Sequence, residues 1–164
     1  VTVVRVDDVA PRPWANGRGT TRELLRADDG SWRISLADVV SDGPFSVFAG
    51  RHRLLTVVEG VVLSLDVDGE TRVVEPLRPF AFAGDAGVVA SVPEGAVRVL
   101  NVIAYPGVLA HVTVLELGRT SALPLAADQA AYVVTGAERG TLVAGPGEVG
   151  GRCTVAVVTL EPVG

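Results

Sequence analysis

Almost nothing in this chain has a helical period. Short runs rich in valine, isoleucine and threonine recur instead: "RISLADVV", "LLTVVEGVVLSLDV", "TRVVEP", "PFAFAG", "VRVLNVIAY", "HVTVLELG", "AAYVVTG" and "CTVAVVTLE". Turn residues separate them, drawn from 19 glycines, 10 prolines and several aspartates. Strands recurring at roughly 8–12 residues with such punctuation predict an all-β barrel or sandwich. Asp68-Gly69 is placed to turn a hairpin. Two short stretches, "TRELLRA" and "LPLAADQAA", are the exceptions with some helical spacing, and neither is long enough to establish a helix.

A length of 164 residues fits one domain or two small ones fused around a shared core. The chain is 48% apolar, enough to build that core without staples. Its formal charge of −5 speaks against a nucleic-acid partner. No apolar run approaches the roughly 20 residues of a membrane-spanning helix, and no secretory apolar stretch opens the sequence, so no membrane association and a cytoplasmic location are expected. The single cysteine, Cys153, lies in an apolar run and reads as a small buried hydrophobe.

Two segments echo each other. Residues 53–65, "RLLTVVEGVVLSL", align with residues 129–142, "QAAYVVTGAERGTL", through a shared V-V-x-G. The echo predicts two β-barrel halves, the first over residues 1–105 and a smaller one over residues 106–164.

Charged residues crowd one place. Arg51, His52 and Arg53 stand together at the mouth of a run that otherwise reads as buried strand. Laid on the two motifs of the cupins, the sequence resembles that superfamily in its turns but not in its metal ligands. Gly60 closes the first motif, and Gly87, Pro93 and Gly95 fall on their marks in the second. The glutamate position holds Arg53 and the second-motif histidine position holds Arg98; the first-motif histidines fall on Val47 and Ala49, or on Ser46 and Phe48. Asn101 comes one residue earlier than the motif asks. A guanidinium has no lone pair for a metal, so no metal and no other cofactor are expected. Its planar fork suits a carboxylate. Arg53 and Arg98 are therefore expected to face one cavity as an anion receptor. The bland alternative leaves Arg53 as an exposed strand residue and pairs Arg98 with Glu94 or Glu116. His52, adjacent to Arg53 in a strand, should face the other way, and His111 reads as structural.

A second unusual stretch is "PRPWANGRGTTRELLR", too polar for a core strand. Asn16 to Gly19 would form a loop rich in backbone donors; the alternative is a tight turn with Trp14 covering the core.

Taken together, "PWANGRGTTRE", "WRISLADVVSDGPFSVFAGRHRLLTVVEG", "FAGD" and "VRVLNV" resemble the HutD/Ves family of small bacterial cupins. The resemblance implies a double cupin, that is, two jelly-roll halves. It implies a metal-free protein associated with histidine utilisation or a stress response, binding a small acidic metabolite such as formylglutamate or urocanate, with no enzymatic activity established. The family motif maps onto Pro13, Trp14, Asn16 and Gly17, but the family lysine is Ala15 here, and Arg18 follows. Arg53 with Glu59, and Arg98 with Asn101, also match. The ligand-binding candidates are thus Trp14, Asn16, Arg18, Ser35, Arg53, Glu59, Arg98 and Asn101. A homodimer is what analogy with other cupins suggests. Two competing functions stand beside a binding protein: a metal-independent isomerase or epimerase, with Glu59 or Tyr132 as base, and a structural or interaction domain with a filled cavity.

Overall fold

The computed structural model describes residues 2–163. Its elements in chain order are β1 (Thr2–Arg5), a 3-10 turn (Val6–Asp8), β2 (Arg12–Pro13), β3 (Gly19–Arg26), β4 (Trp32–Val39), β5 (Gly43–Pro44), β6 (His52–Glu59), β7 (Leu63–Val67), β8 (Glu70–Val74), β9 (Phe80–Ala83), β10 (Val88–Ser91) and β11 (Val97–Ala104). They continue with β12 (Val108–Leu117), β13 (Ala122–Leu125), β14 (Gln129–Thr135), β15 (Thr141–Ala144), β16 (Gly147–Gly150) and β17 (Cys153–Pro162). No helix among the described residues is long and apolar enough to cross a membrane.

The chain divides into two compact units, Ala10–Pro106 and Val1–Val9 with Gly107–Gly164. The first strand therefore belongs with the C-terminal unit and not with an N-terminal half starting at residue 1. Backbone pairing is the reason: β1 runs antiparallel to β15, from Thr2 opposite Ala144 to Arg5 opposite Thr141, and the Val6 N–H donates to the Gly140 carbonyl.

The N-terminal unit holds a six-stranded sheet, β2-β3-β4-β11-β6-β9, and a four-stranded one, β5-β10-β7-β8. Alternation decides what lies between them. Ala37 and Val39 from β4, Leu55 and Val57 from β6, and Val97 and Val99 from β11 meet Leu63, Leu65, Val88 and Ala90 from the smaller sheet in one apolar core. The Asp68-Gly69 turn joins β7 to β8 as expected, both residues taking positive φ (49° and 89°).

The C-terminal unit repeats the plan. Its five-stranded sheet runs β1-β15-β14-β17-β12 and its two-stranded one β13-β16. Strands β12-β17-β14-β15 follow the order of β4-β11-β6-β9, and β13-β16 that of β5-β10. The register agrees to the residue: Arg53 stands opposite Ile103 in one unit, and Gln129 opposite Thr159 in the other. Each strand of the echo ends at a glycine of positive φ, Gly60 (106°) and Gly136 (115°). Among the described residues the smaller unit has no counterpart of the β7–β8 hairpin or of β2 and β3, and adds β1 beyond β15.

Both stretches with helical spacing are extended. "TRELLRA" lies mostly in β3, where a bulge between Glu23 and Leu25 breaks the alternation. That extra residue sets Glu23 and Arg26 on one face, close enough for a 2.7 Å ion pair, and so produces a three-residue spacing that reads as helix. "LPLAADQAA" spans the end of β13, a turn closed by the Gln129 N–H on the Ala126 carbonyl, and the start of β14.

Candidate functional site

The register of the six-stranded sheet sets one line of side chains across its inner face. Arg26 stands opposite Arg33, Arg33 opposite Ile103, Ile103 opposite Arg53, and Arg53 opposite Phe82. The next inward line is Glu23, Ser35, Asn101, Leu55 and Phe80. Strand pairing thus brings Arg33 and Arg53 together, with Ser35 and Asn101 one step deeper.

Arg53 is 5% exposed. Its Nη1 donates to the Ser46 carbonyl (3.0 Å), and its Nε has no protein partner. Around it stand three aromatic rings, Phe82, Phe48 and Phe45, with centroids 4.8, 4.9 and 5.7 Å from its guanidinium carbon. Phe48 is shared: the guanidinium carbons of Arg33 and Arg51 lie 4.9 and 5.9 Å from the same centroid. Arg51 also stacks on Tyr105 (4.4 Å) and donates to its hydroxyl. Nε of Arg33 and of Arg51 is buried and unpartnered. Among the described residues no carboxylate forms an ion pair with Arg33, Arg51 or Arg53. Burial pushes the Arg53 guanidinium down to about 10, and Arg33 adds to the effect. Arg33 is pulled below its ordinary value first by burial, with Glu23 opposing and Arg51 and Arg26 adding.

Beside this cluster opens a cleft of about 260 Å³, lined by Arg26, Gly30, Trp32, Arg33, Arg51, Ile103 and Tyr105. Arg26 is matched by Glu23. The cleft therefore presents Arg33 and Arg51 as charges without an ion-pair partner, and Arg53 stands beside Ile103 on the neighbouring strand. Such a set attracts a carboxylate and repels a divalent cation. No group of three His, Cys, Asp or Glu side chains among the described residues could hold a metal ion.

The loop carrying Phe48 and Arg51 is clamped. The Phe48 N–H donates to the Gly84 carbonyl, the Gly84 N–H to the Arg51 carbonyl, and the Gly50 N–H to the Asp85 carboxylate. A Cβ on Gly84 would lie 2.1 Å from the Phe48 carbonyl oxygen, so only glycine permits this approach.

The remaining candidates divide. Trp14 donates from Nε1 to Thr21 Oγ1 (2.8 Å) and meets Phe45 edge-on at 5.8 Å, which places it behind the aromatic wall of Arg53. Asn16 is exposed; its Oδ1 accepts the Arg18 N–H (2.9 Å) and its Nδ2 donates to the Pro44 carbonyl (3.2 Å). Arg18 is exposed too, its stem lying against Gly43. These two fasten the N-terminal loop to β5 next to Phe45.

Arg98 and Glu59 are not in the site. Arg98 binds Asp38 with Nε (2.8 Å) and Nη2 (3.1 Å), and Arg22 binds the same carboxylate (3.2 Å). Glu59 stands opposite Arg98. Arg98 is three residues before Asn101 on β11, so alternation sends it to the opposite face. The expectation that Arg53 and Arg98 share one cavity is corrected accordingly, as is the pairing of Arg98 with Glu94 or Glu116. Tyr132 is buried in the C-terminal unit. His52 is exposed, on the face away from Arg53. The sequence reading missed Arg33 as a partner of Arg53; its signal was the W-R-x-S spacing, which puts Arg33 on the same face as Ser35.

Residues 6–150 match the model of the HutD family. The chain belongs to the HutD family. A 21.2 kDa protein of Pseudomonas putida, described as uncharacterized and from the hutC 3' region, is 39% identical over 110 residues, covering 63% of this chain and 58% of that protein. Protein Ves of Citrobacter koseri is 39% identical over 87 residues, 50% of this chain and 46% of its own. The matches thus span about half the length of these curated relatives. Among solved structures, HutD from Pseudomonas fluorescens SBW25 (formate condition) superposes with a TM-score of 0.75 at 31% identity, covering 98% of both chains. A conserved protein of unknown function from Pseudomonas aeruginosa PAO1 superposes at 0.85 with 28% identity over 99% of both. Protein Ylba of E. coli, at 0.72 and 10% identity, shares the fold alone. The all-β fold of this HutD family member is that of the cupins.

Proposed function

We propose that this chain binds a small carboxylate-bearing metabolite, of the formylglutamate or urocanate kind, at the arginine cluster of its N-terminal unit, and through that binding modulates histidine utilisation. The observation that carries the reading is one ring with three guanidinium groups around it. Arg33, Arg51 and Arg53 all approach Phe48 within 6 Å, and their charges have no carboxylate partner among the described residues. Clustered cations without a counter-charge are unfavourable in a partly buried site, and an arriving carboxylate relieves that cost through charge-assisted hydrogen bonds. The P. putida relative from the hutC 3' region supports the metabolic setting.

The testing experiment is a thermal-shift screen with urocanate, formylglutamate, formiminoglutamate and glutamate, followed by calorimetric titration. A ligand at a hundredfold its Kd adds about 2.7 kcal/mol of stability. Formylglutamate or urocanate should raise the Tm, and Arg53→Met should abolish the rise. A screen in which none of the four acids shifts the Tm rejects the reading.

A further inference from the structure

We infer that the acid taken by this site must also present an N–H or O–H donor, held by Asn101. The inference rests on the carboxylate-receptor reading above and specifies the other half of the ligand. Asn101 is 8% exposed, and its Oδ1 is buried with no protein partner. It occupies β11 between Ser35 of β4 and Leu55 of β6, on the same face as Ile103, which lines the cleft. A buried acceptor left unpaired is unfavourable and is rare in folded proteins. The unpartnered N–H groups of the neighbouring arginines can take up acceptors brought by the ligand, and a carboxylate has no proton to return to Oδ1. Two different needs therefore sit side by side: unpaired donors on Arg53 and Arg33, and an unpaired acceptor on Asn101. One small molecule meets both if it carries an anionic group and, a few ångströms away, an amide, amidine, ring N–H or hydroxyl.

Strand geometry sets the span. Asn101 and Ile103 are two residues apart on one strand, so the Asn101 line and the Arg53 line are separated by about 6.5–7 Å. The carboxylate and the donor thus belong to neighbouring parts of one metabolite-sized molecule, which would enter by the cleft of about 260 Å³ that Arg33 and Ile103 line. An acid that is apolar beyond its carboxylate would satisfy the arginines and leave Oδ1 as it was. A pocket built around a hydrogen bond discriminates strongly against a ligand that lacks the matching group.

A matched pair tests this. Formylglutamate and its ester isostere 2-formyloxyglutarate have the same charge and nearly the same shape, but an oxygen replaces the N–H in the second. Calorimetric titration of the whole chain should show formylglutamate binding at least tenfold more tightly. Asn101→Leu should bring the two acids within about twofold of each other, while Arg53→Met should weaken both alike. Equal affinity of the two acids for the wild type, with Arg53→Met still weakening both, overturns the donor requirement and leaves the carboxylate receptor standing. Tighter binding of the ester overturns it too, since the amide of Asn101 would then offer its nitrogen to the ligand. If the wild type binds neither acid, the donor requirement and the carboxylate receptor fall together.

Discussion

The two units share a frame and differ in what they put on it. Arg53 and Gln129 occupy equivalent places on equivalent strands, opposite Ile103 and Thr159 respectively. Gln129 is satisfied within its own unit: its Oε1 accepts the Ala126 N–H (2.9 Å) and its Nε2 donates to Thr159 Oγ1 (3.1 Å). Arg53 has a partner on one nitrogen and none on another. Its neighbours differ as well. The position of Arg33 corresponds to His111, which is exposed, and that of Ile103 to Thr159. One unit closes its polar line with its own hydrogen bonds, and the other leaves Arg53 Nε and Asn101 Oδ1 without a protein partner. The same strand plan therefore carries a closed set of hydrogen bonds in one unit and an open one in the other, and the choice depends on very few side chains.

The largest expected effect tests the shared frame. A Cβ on Gly60 would lie 2.7 Å from Val97 Cγ1, and one on Gly136 would lie 2.8 Å from the Arg152 carbonyl oxygen and from Cys153 Cβ. Left-handed strain and the forced shift together should make Gly60→Ala and Gly136→Ala each cost about 2–4 kcal/mol in urea unfolding. A large loss in one and none in the other would break the equivalence.

Next is Arg98→Met. It removes the two-pronged contact to Asp38, which should cost about 1.5–3 kcal/mol of stability. Affinity for an acid should stay unchanged in titration, because Arg98 faces away from the cluster. Arg53→Met should show the opposite profile. Acid affinity should fall at least tenfold, equivalent to about 1.4 kcal/mol. Stability should hold or rise, since an uncompensated buried charge is replaced by a chain that still fills the space between the rings. The control Gln129→Leu should leave affinity as it was.

The smallest effect is in pH. Even with Arg53 pushed down to about 10, its guanidinium is charged throughout the neutral range. A base lowered in the folded state binds fewer protons than its unfolded counterpart only above that value, so the associated gain in stability with rising pH begins near pH 10 and leaves lower pH untouched. Acid affinity should therefore be flat from about pH 6 to 9, falling only as the ligand's own carboxyl protonates near 4. A midpoint near 6.5 would assign recognition to a histidine and contradict the arginine cluster.

The strands, the Asp68-Gly69 hairpin and the V-V-x-G echo were legible because β-branched runs and turn glycines act locally. Arg53 as an inward residue was legible because Gly60 anchors the count. Arg98 was misread although the correcting signal was present. Asn101 stood one residue early against the cupin pattern, and a single-residue offset in a strand exchanges its faces. If Asn101 points in, Arg98 points out. The Glu23–Leu25 bulge was hidden for a related reason, since an inserted residue imitates a helical spacing. The convergence of Arg33 and Arg51 on Phe48 depends on pairing between β4, β11 and β6, and on a loop held by Gly84 and Asp85. Neither is a property of any one segment.

Phe48 is more than a wall. The quadrupole of its ring gives Arg33, Arg51 and Arg53 a shared but weak partner in place of an acid, which would make the ring a competitor of any anion that enters. Draining the ring by fluorination loosens its hold on the cations and enlarges the ring only slightly. Pentafluorophenylalanine at position 48 should thus bind acids more tightly than the natural side chain, the reverse of what a ring acting only through packing would give.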